Sequence, residues 1–294
     1  MPEHALASLN EAPASTFVTA LAGVFEHAPW IPAAAAARRP FPTLAALFEA
    51  LRGVVGESDE AHRLGLLRNH PELAGVAARS GNMTPESVAE QASVGLDRLS
   101  GGRATRFDDL NARYRERFGW PFIICVRRHG RDSILAEFER RVRLSPEEER
   151  EAALAEVFRI AALRLDALVS GPDRLPVAGR LSTHVLDTAE GRPAEGVAVE
   201  LVELAADGER PVARCVTNAN GRSDPPLVAD RPLPVATYEL RFALGAYYRG
   251  RGAALPRPAF LDVVPIRFGV AEPEGHYHVP LTASPWSYAT YRGS

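Results

Sequence analysis

The chain has 294 residues, 46% of them hydrophobic and 24% charged, with a formal net charge of -3. The length predicts two domains, and the slight negative charge disfavours a nucleic-acid-binding protein, which needs a strongly basic face. We expect no membrane partner and a cytoplasmic location, because no apolar run approaches the roughly 20 residues that span a bilayer and the first residues show no leader pattern. The two cysteines, Cys125 and Cys215, predict isolated buried thiols.

Residues 1–170 have the apolar period of helices and predict an all-α domain. Ser145-Pro146-Glu147-Glu148 has the features of a helix start: a serine N-cap, a proline in the first turn and a glutamate at the capping-box position. Thr84-Pro85 predicts another helix start. The predicted apolar helix faces are Val88, Ala92, Gly95, Leu96 and Leu99; Phe107, Leu110, Tyr114 and Phe118; Ile134, Leu135, Phe138 and Val142; and Leu154, Val157, Ala161, Leu165 and Leu168.

Two polar residues of this half stand out against the helical pattern. His70 precedes Pro71, which disfavours helical backbone at the histidine and predicts a helix junction with the ring facing a cleft. A histidine that only caps a helix is the alternative. Arg164 falls within the last apolar face, where a cation is costly unless it meets a carboxylate or a ligand. A structural salt bridge or an arginine that reaches the surface explains it equally well.

Residues 171–176 predict a linker, and beyond them the apolar period changes to two. Tyr238–Leu244 alternates cleanly between apolar and polar residues, and Val197–Leu204 does so less strictly. Glycine-containing turns separate such segments at strand spacing: Gly191-Arg192-Pro193, Asp207-Gly208, Asn220-Gly221 and Glu274-Gly275. Residues 177–294 therefore predict an all-β domain, an antiparallel β-sandwich.

Three histidines of the β half fall on predicted strands. His276 and His278 are two residues apart, so both side chains point to the same side of a strand, and His184 lies on a second segment. Three histidines suit a zinc site, although no acidic or cysteine partner is obvious. Ordinary strand histidines packed by Tyr277 and Trp286 are the other interpretation, and we predict no metal.

The β half resembles the 5-hydroxyisourate hydrolases, the enzymatic relatives of transthyretin, throughout residues 177–294. The resemblance is carried by Leu181–Thr188, by Asn220-Gly221-Arg222-Ser223 and by the chain end from His276, which finishes in Tyr291-Arg292-Gly293-Ser294. It implies a transthyretin-like β-sandwich and a homotetramer with active sites across a subunit interface. The implied catalytic residues are His184, Arg222, His278, Tyr291 and Ser294, with Arg292 against the substrate.

The side-chain types fit such a hydrolysis. A neutral imidazole can activate water, and the planar guanidinium of Arg222 can hold the oxygens of the substrate ring. Because the chain end belongs to the implied site, we expect that residues added after Ser294 abolish hydrolysis.

Residues 10–169 resemble the decarboxylases of 2-oxo-4-hydroxy-4-carboxy-5-ureidoimidazoline (OHCU), the product of that hydrolysis. The matching motifs are His27–Trp30, Arg39–Phe41, His70–Gly75, Ser87–Gln91, Leu110–Tyr114 and Phe118–Arg127. The resemblance implies that His70 is the general acid/base and that Glu90 and Arg164 complete the catalytic set. The implied substrate-lining residues are Pro71, Ser87, Gln91, Phe122, Ile123, Ile124, Cys125 and Val126. No cofactor is implied, since the substrate ring can accept the electrons left by departing carbon dioxide, and the helical domain can form a dimer.

Together the two resemblances predict a bifunctional enzyme of urate degradation, which converts 5-hydroxyisourate to (S)-allantoin in two consecutive steps. Its partners are then these two small substrates and further copies of the chain. A transthyretin-like carrier with a helical assembly domain is the alternative, and His184, Arg222, His278 and the Tyr-Arg-Gly-Ser ending favour the enzyme over it. A metal-dependent hydrolase is a third alternative, which activity in the presence of a strong chelator would exclude.

Overall fold

A computed structural model of the protein describes residues 2–73, 85–93, 95–96 and 101–293. The chain divides into two compact units, Met1–Arg127 with Ile134–Val177 and Arg128–Ser133 with Ala178–Ser294. The first unit is helical and the second is rich in β-sheet, as the sequence predicts. Residues Arg128–Ser133, which the sequence analysis included in the helical half, group with the sheet unit.

Several helices lie before residue 177 in the part of the chain that the structure describes. They are Leu6–Glu11, Ala14–Ala20, Trp30–Ala35, Leu44–Glu57, Glu60–Arg68, Pro85–Ser93, Gly101–Phe118, Arg131–Arg141 and Pro146–Leu168, with short 3-10 turns at Ala36–Arg38 and Val126–Arg128. The capping box predicted at Ser145 is confirmed: its hydroxyl accepts from the amide of Glu148, and the Glu148 carboxylate accepts from the amide of Ser145. These reciprocal bonds satisfy amides that a helix start leaves without partners.

Two details of the helical unit differ from the prediction. The unit is not purely helical, because strand β1 (His4–Ala5) pairs in parallel with strand β2 (Val169–Ser170). The helix that contains Val88 ends at Ser93, and Gly95 has a φ of +67°, a left-handed conformation that ends a helix. The predicted apolar face therefore does not continue through Leu96 as one helix, and Thr84 and Leu99 lie outside the described residues.

The segment predicted as a linker is bound to the helical unit. The carboxylate of Asp173 accepts hydrogen bonds from the amides of Leu44 and Ala45, at 2.7 and 3.1 Å, in the first turn of the Leu44–Glu57 helix. The buried Leu175 donates its amide to Asp166 at 2.9 Å. An acceptor at a helix start stabilises the helix, so these residues complete the fold of the first unit.

The strands of the second unit form three hydrogen-bonded sheets. They are β3 (Gly179–Ser182), β4 (Val185–Asp187), β5 (Arg192–Pro193), β6 (Ala198–Ala205), β7 (Gly208–Val216), β8 (Val228–Arg231), β9 (Ala236–Phe242), β10 (Val264–Val270), β11 (His276–His278), β12 (Leu281–Ala283) and β13 (Tyr288–Thr290). The sheet orders are β10-β9-β6-β7, β11-β3-β8 and β13-β12-β4-β5. The apolar side chains of this unit form one buried cluster, which includes Leu181, Val199, Leu240 and Phe242.

The predicted antiparallel arrangement holds for the first of these sheets, while two pairs elsewhere are parallel. β11 runs parallel to β3, and β12 runs parallel to β4. Strands that are distant in sequence are joined by long connections, which permit either direction. The alternating segment 238–244 is a strand only to Phe242, because Leu244 begins a helix that ends at Gly250. In the part of the chain that is described, no helix is long and apolar enough to cross a membrane.

Candidate functional sites

His70 lies at a helix junction, as its position before Pro71 predicts. It follows the Glu60–Arg68 helix and donates its amide to the carbonyl of Leu67 at 3.2 Å. Its side chain lines a small cavity of the helical unit, whose other residues are Pro71, Leu73, Ser87, Glu90, Gln91, Phe122, Ile123, Ile124, Val126 and Ile160. Most of the residues that the resemblance implied for decarboxylation therefore meet around one space.

The Pro85–Ser93 helix supplies three of these side chains. Ser87, Glu90 and Gln91 have the spacing of one helix face. Gln91 also donates to the carbonyl of Glu72 at 3.2 Å, and Asn111 donates to the carbonyl of Leu73 at 2.9 Å. These amide side chains fix the backbone that follows His70. Asn111 belongs to the Leu110–Tyr114 motif, but nothing in that motif indicates that it lies beside the site.

Arg164 meets the anion that its position in an apolar face requires. Its guanidinium donates to both oxygens of Glu90, from Nε at 3.0 Å and from Nη2 at 2.8 Å, and Nη2 also lies 3.1 Å from Ser87 Oγ. Burial opposes the charge, but the hydrogen bonds with Glu90 and the negative charges of Glu90 and Glu26 raise the pKa of Arg164 above its ordinary value. The salt bridge between Arg164 and Glu90 is thus part of the site, since Ser87 and Glu90 line the His70 cavity.

Glu26 is a site residue that the sequence analysis missed. Its side chain is 1% exposed, and its Oε2 accepts from Ser87 Oγ at 2.5 Å and lies 3.4 Å from Nη2 of Arg164. The only signal in the sequence was its position directly before the quoted segment that starts at His27. A lone glutamate before a histidine is common on protein surfaces, so its burial could not be inferred.

The wall formed by Phe122–Val126 is anchored from behind by buried charges. Arg141 donates from Nη1 to the carbonyl of Ile123 at 2.7 Å, and its guanidinium lies 4.7 Å from the centre of the Phe122 ring. Arg141 pairs with Glu149, and both side chains are almost fully buried. The amide of Cys125 donates to Glu156 at 2.8 Å. Cys125 itself is buried and is not among the residues that line the cavity.

The surroundings of the cavity shift the pKa of His70 far from its ordinary value. Burial lowers the pKa of His70 to about 4, the negative charge of Glu26 opposes this shift, and the charges of Arg164 and His27 add to it. His70 is therefore neutral at neutral pH. The cavity measures about 20 Å³, roughly the space of one water molecule, so a ring-sized ligand must move its walls apart. Glu90 also borders a wider cleft of about 840 Å³, which Arg164 and Arg127 line as well.

In the sheet unit, backbone pairing brings together three of the residues that the resemblance implied for hydrolysis. His184 and Arg222 are partners in an antiparallel bridge. β11 places His278 opposite Ser182, two residues before His184, so that His184 and His278 are close neighbours. Burial and the charge of Arg222 lower the pKa of both His184 and His278. Both imidazoles are consequently neutral, which is the form that can accept a proton from water.

Three small residues position these imidazoles, and the sequence analysis did not single them out. Ser182 Oγ lies 3.0 Å from Nδ1 of His278. A Cβ on Gly221, whose φ is +70°, would lie 2.3 Å from the carbonyl oxygen of Val185 and 3.2 Å from the His184 ring. A Cβ on Gly293 would lie 2.6 Å from Cδ2 of His278. A side chain at position 221 would need a backbone shift, and one at position 293 would displace the His278 ring.

The chain end runs beside His278. The amide of Gly293 donates to the carbonyl of His278 at 2.8 Å, in an antiparallel bridge. The guanidinium of Arg292 lies 5.0 Å from the ring centre of Tyr277, whose side chain alternates to the other side of β11. Tyr291 is 64% exposed, and Ser294 lies outside the described residues. The structure thus brings Gly293 to His278, places Arg292 over the Tyr277 ring and leaves Tyr291 exposed. Among the described residues, no group of three or more His, Cys, Asp and Glu side chains is arranged to hold a metal ion.

Comparison with known proteins agrees with this division. A family model described as "OHCU decarboxylase" matches residues 10–166, more than half of the chain, and one described as "HIUase/Transthyretin family" matches residues 181–293. The chain belongs to both families. The resemblances predicted from the motifs are therefore confirmed.

Individual relatives cover each half. A 5-hydroxyisourate hydrolase of Ralstonia nicotianae is 53% identical over 116 residues, which are 40% of this chain and 99% of the relative. A 2-oxo-4-hydroxy-4-carboxy-5-ureidoimidazoline decarboxylase of Haloferax volcanii is 41% identical over 165 residues, 56% of this chain and 96% of the relative. The crystal structure of an (S)-allantoin synthase aligns with 99% of this chain and 100% of its own, at 33% identity and a TM-score of 0.53.

Proposed function

We propose that the protein is a bifunctional enzyme that hydrolyses 5-hydroxyisourate to OHCU and decarboxylates OHCU to (S)-allantoin. The hydrolysis belongs to the sheet domain, residues 177–294, a transthyretin-like β-sandwich, and the decarboxylation to the helical domain, residues 1–170. The observation that carries the proposal is the presence of two separate polar sites, one in each family domain. Neither site shares a residue with the other.

In the hydrolase, a neutral imidazole of the His184–His278 pair accepts a proton from water as the water attacks the substrate ring. Arg222 lies beside both imidazoles and is mostly exposed, so its guanidinium can hold the oxygen on which negative charge develops. The arginine thereby serves twice, since its charge also keeps the histidines neutral.

In the decarboxylase, the carbon–carbon bond to the carboxylate breaks and its electron pair enters the imidazoline ring. A ring carbon must then receive a proton on one face, and His70 is the group placed to deliver it. Glu90 is held by two hydrogen bonds to Arg164, so its carboxylate is fixed at the edge of the same cavity. Pro71, Ser87, Gln91 and the Phe122–Val126 wall complete the proposed substrate contacts of the decarboxylase. Tyr291, Arg292 and Ser294 complete the hydrolase set.

Oligomerisation through the sheet domain explains why aromatic residues are exposed on its surface. Phe260, Trp286, Tyr288 and Tyr291 are exposed aromatic residues, and the rings of Phe260 and Trp286 are 6.4 Å apart. Exposed apolar patches of this kind mark interfaces. A homotetramer that covers them would bring Tyr291 of one copy towards the site of another. Dimerisation of the helical domain and a cytoplasmic location remain predictions.

Two variants separate the activities. His70→Ala should leave hydrolysis of 5-hydroxyisourate intact and reduce decarboxylation to its spontaneous rate, whereas His184→Ala should do the reverse. Ultraviolet absorbance of freshly made 5-hydroxyisourate follows both steps in one cuvette. A variant that lost both activities while remaining folded would contradict two independent sites, and loss of hydrolysis on adding a strong chelator would favour the metal-dependent alternative.

A further inference from the structure

Each decarboxylation consumes a proton, and His70, which is half-buried, has to be supplied with it. The substrate carboxylate leaves as neutral carbon dioxide, and the proton that replaces it on carbon comes from the enzyme. His70 gives up that proton and must take another from solvent before the next turnover. Because burial keeps His70 neutral, reprotonation cannot rely on a standing imidazolium.

The two carboxylate oxygens of Glu26 have different neighbours. Oε2 accepts from Ser87, which lines the His70 cavity, and lies near Nη2 of Arg164. Oε1 lies 4.0 Å from Nε2 of His27. Ser87 and His70 line the same cavity, and the negative charge of Glu26 opposes the effect of burial on the pKa of His70.

His27 is the exposed end of this arrangement. Its side chain is 58% exposed, whereas that of Glu26 is 1% exposed. It lines a surface hollow of about 320 Å³ with Trp30, His62 and Asn69. The backbone of His27 has a φ of +56°, a conformation that is uncommon for residues other than glycine. Nε2 of the imidazole lies 4.0 Å from the buried carboxylate, and backbone strain of this kind concentrates at functional positions.

On the basis of the proposed decarboxylase function, we propose that His27 and Glu26 form a proton relay from solvent to His70. An imidazolium at His27 passes its proton to Glu26 Oε1, and the carboxylic acid releases it on the inner side to His70, directly or through the Ser87 hydroxyl. Rotation of the exposed imidazole closes the 4.0 Å gap. The charged groups around the route are Arg164 beside Glu26 and Glu90 at the edge of the cavity. The relay breaks and forms only N–H bonds of the two imidazoles and O–H bonds of Glu26 and Ser87.

The structure offers a matched control for His27. His62 lines the same hollow and its side chain is 56% exposed, but its Nδ1 lies 2.7 Å from Asp59, away from Glu26. Asparagine suits both sites, because it tolerates a positive φ at position 27 better than most residues do. His27→Asn and His62→Asn therefore remove equivalent surface imidazoles, of which only one is on the proposed route.

The test is steady-state decarboxylation of OHCU, followed by circular dichroism in dilute and in concentrated imidazole buffer. We expect His27→Asn to lower kcat about tenfold in dilute buffer with KM unchanged, and imidazole to restore it, since a diffusible acid can replace the lost donor. His62→Asn should match the wild type. Glu26→Gln should lower kcat further and resist rescue, because the buried step is then missing. Circular dichroism at 222 nm and thermal unfolding of the same samples report whether the helical unit of each variant is folded, because these substitutions all lie in that unit.

The relay is overturned if His27→Asn and His62→Asn have the same kcat, or if the loss in His27→Asn appears only in KM. An unchanged kcat in Glu26→Gln also overturns it. These results differ from failure of the proposed function, in which the wild type itself would produce no chiral allantoin.

Discussion

Breaking the buried ion pair behind the Phe122–Val126 wall should strongly destabilise the helical unit. Arg141 is 2% and Glu149 is 0% exposed at the side chain. Glu149 accepts from Nε and Nη2 of Arg141 and from the hydroxyl of Tyr114. Burial and the charge of Glu149 raise the pKa of Tyr114, so the tyrosine remains a hydrogen-bond donor. Glu149→Gln keeps the side-chain volume but removes the charge that balances Arg141.

The expected cost follows from the burial of both partners. Removing one member of a buried pair leaves an uncompensated charge and costs about 3–5 kcal/mol. For a domain of this size, about 1 kcal/mol corresponds to roughly 2–4 °C in Tm, so Tm should fall by about 6–20 °C. Glu147→Gln is the control, because Glu147 lies in the first turn of the same helix and is exposed. Its interaction with the helix dipole is worth about 0.3–1 kcal/mol.

Thermal unfolding followed by circular dichroism at 222 nm measures this difference, since helices dominate the signal. The Ile123 carbonyl depends on Arg141, so decarboxylation should also weaken in Glu149→Gln at temperatures where the variant is folded. Equal Tm values for Glu149→Gln and Glu147→Gln would refute the reasoning, because they would mean that the buried charge is not needed to balance Arg141.

Three further predictions concern the hydrolase site and its surroundings. Arg222→Gln should raise the pKa of His184 and His278 towards the ordinary value, because the positive charge that lowers both is removed. As the pH is lowered, hydrolysis by the variant should therefore fall at a higher pH than hydrolysis by the wild type. A pH–rate profile measures this, and an acid limb at the same pH in both proteins would contradict the electrostatic coupling. Gly293→Ala should lower kcat of hydrolysis at least tenfold, because the new Cβ would meet the His278 ring at 2.6 Å, and unchanged kinetics would show that the chain end does not position His278. Residues added after Ser294 should abolish hydrolysis and spare decarboxylation, so a tagged enzyme with full hydrolase activity would disprove the role of the terminus.

The sequence was sufficient for features that depend on local pattern. The capping box at Ser145 and the strands around Leu240 follow from spacing and side-chain type alone. Family motifs predicted the grouping of His70 with Ser87, Glu90 and Gln91, which are distant from it in sequence. The fold needed both kinds of information, because the parallel pairing of β11 with β3 is set by tertiary contacts that no local pattern encodes.

The supporting residues of the sites could not be predicted in the same way. Glu26 and Asn111 act through burial and long-range hydrogen bonds, and neither property can be read from a single amino-acid sequence. Gly221 and Gly293 matter because backbone or ring atoms approach them closely, which depends on how separate strands meet. The hydrogen bonds of the predicted linker could not be predicted for a similar reason, since Asp173 accepts from a helix start that lies 129 residues before it.

The most direct test of the central conclusion is a circular dichroism time course on freshly made 5-hydroxyisourate with the wild-type chain. We expect rapid loss of 5-hydroxyisourate, brief accumulation of OHCU, and optically active (S)-allantoin as the product. Both steps should be faster than the corresponding spontaneous reactions. Racemic allantoin formed at the spontaneous rate would contradict the decarboxylase site at His70, and unaccelerated loss of 5-hydroxyisourate would contradict the hydrolase site at His184, Arg222 and His278.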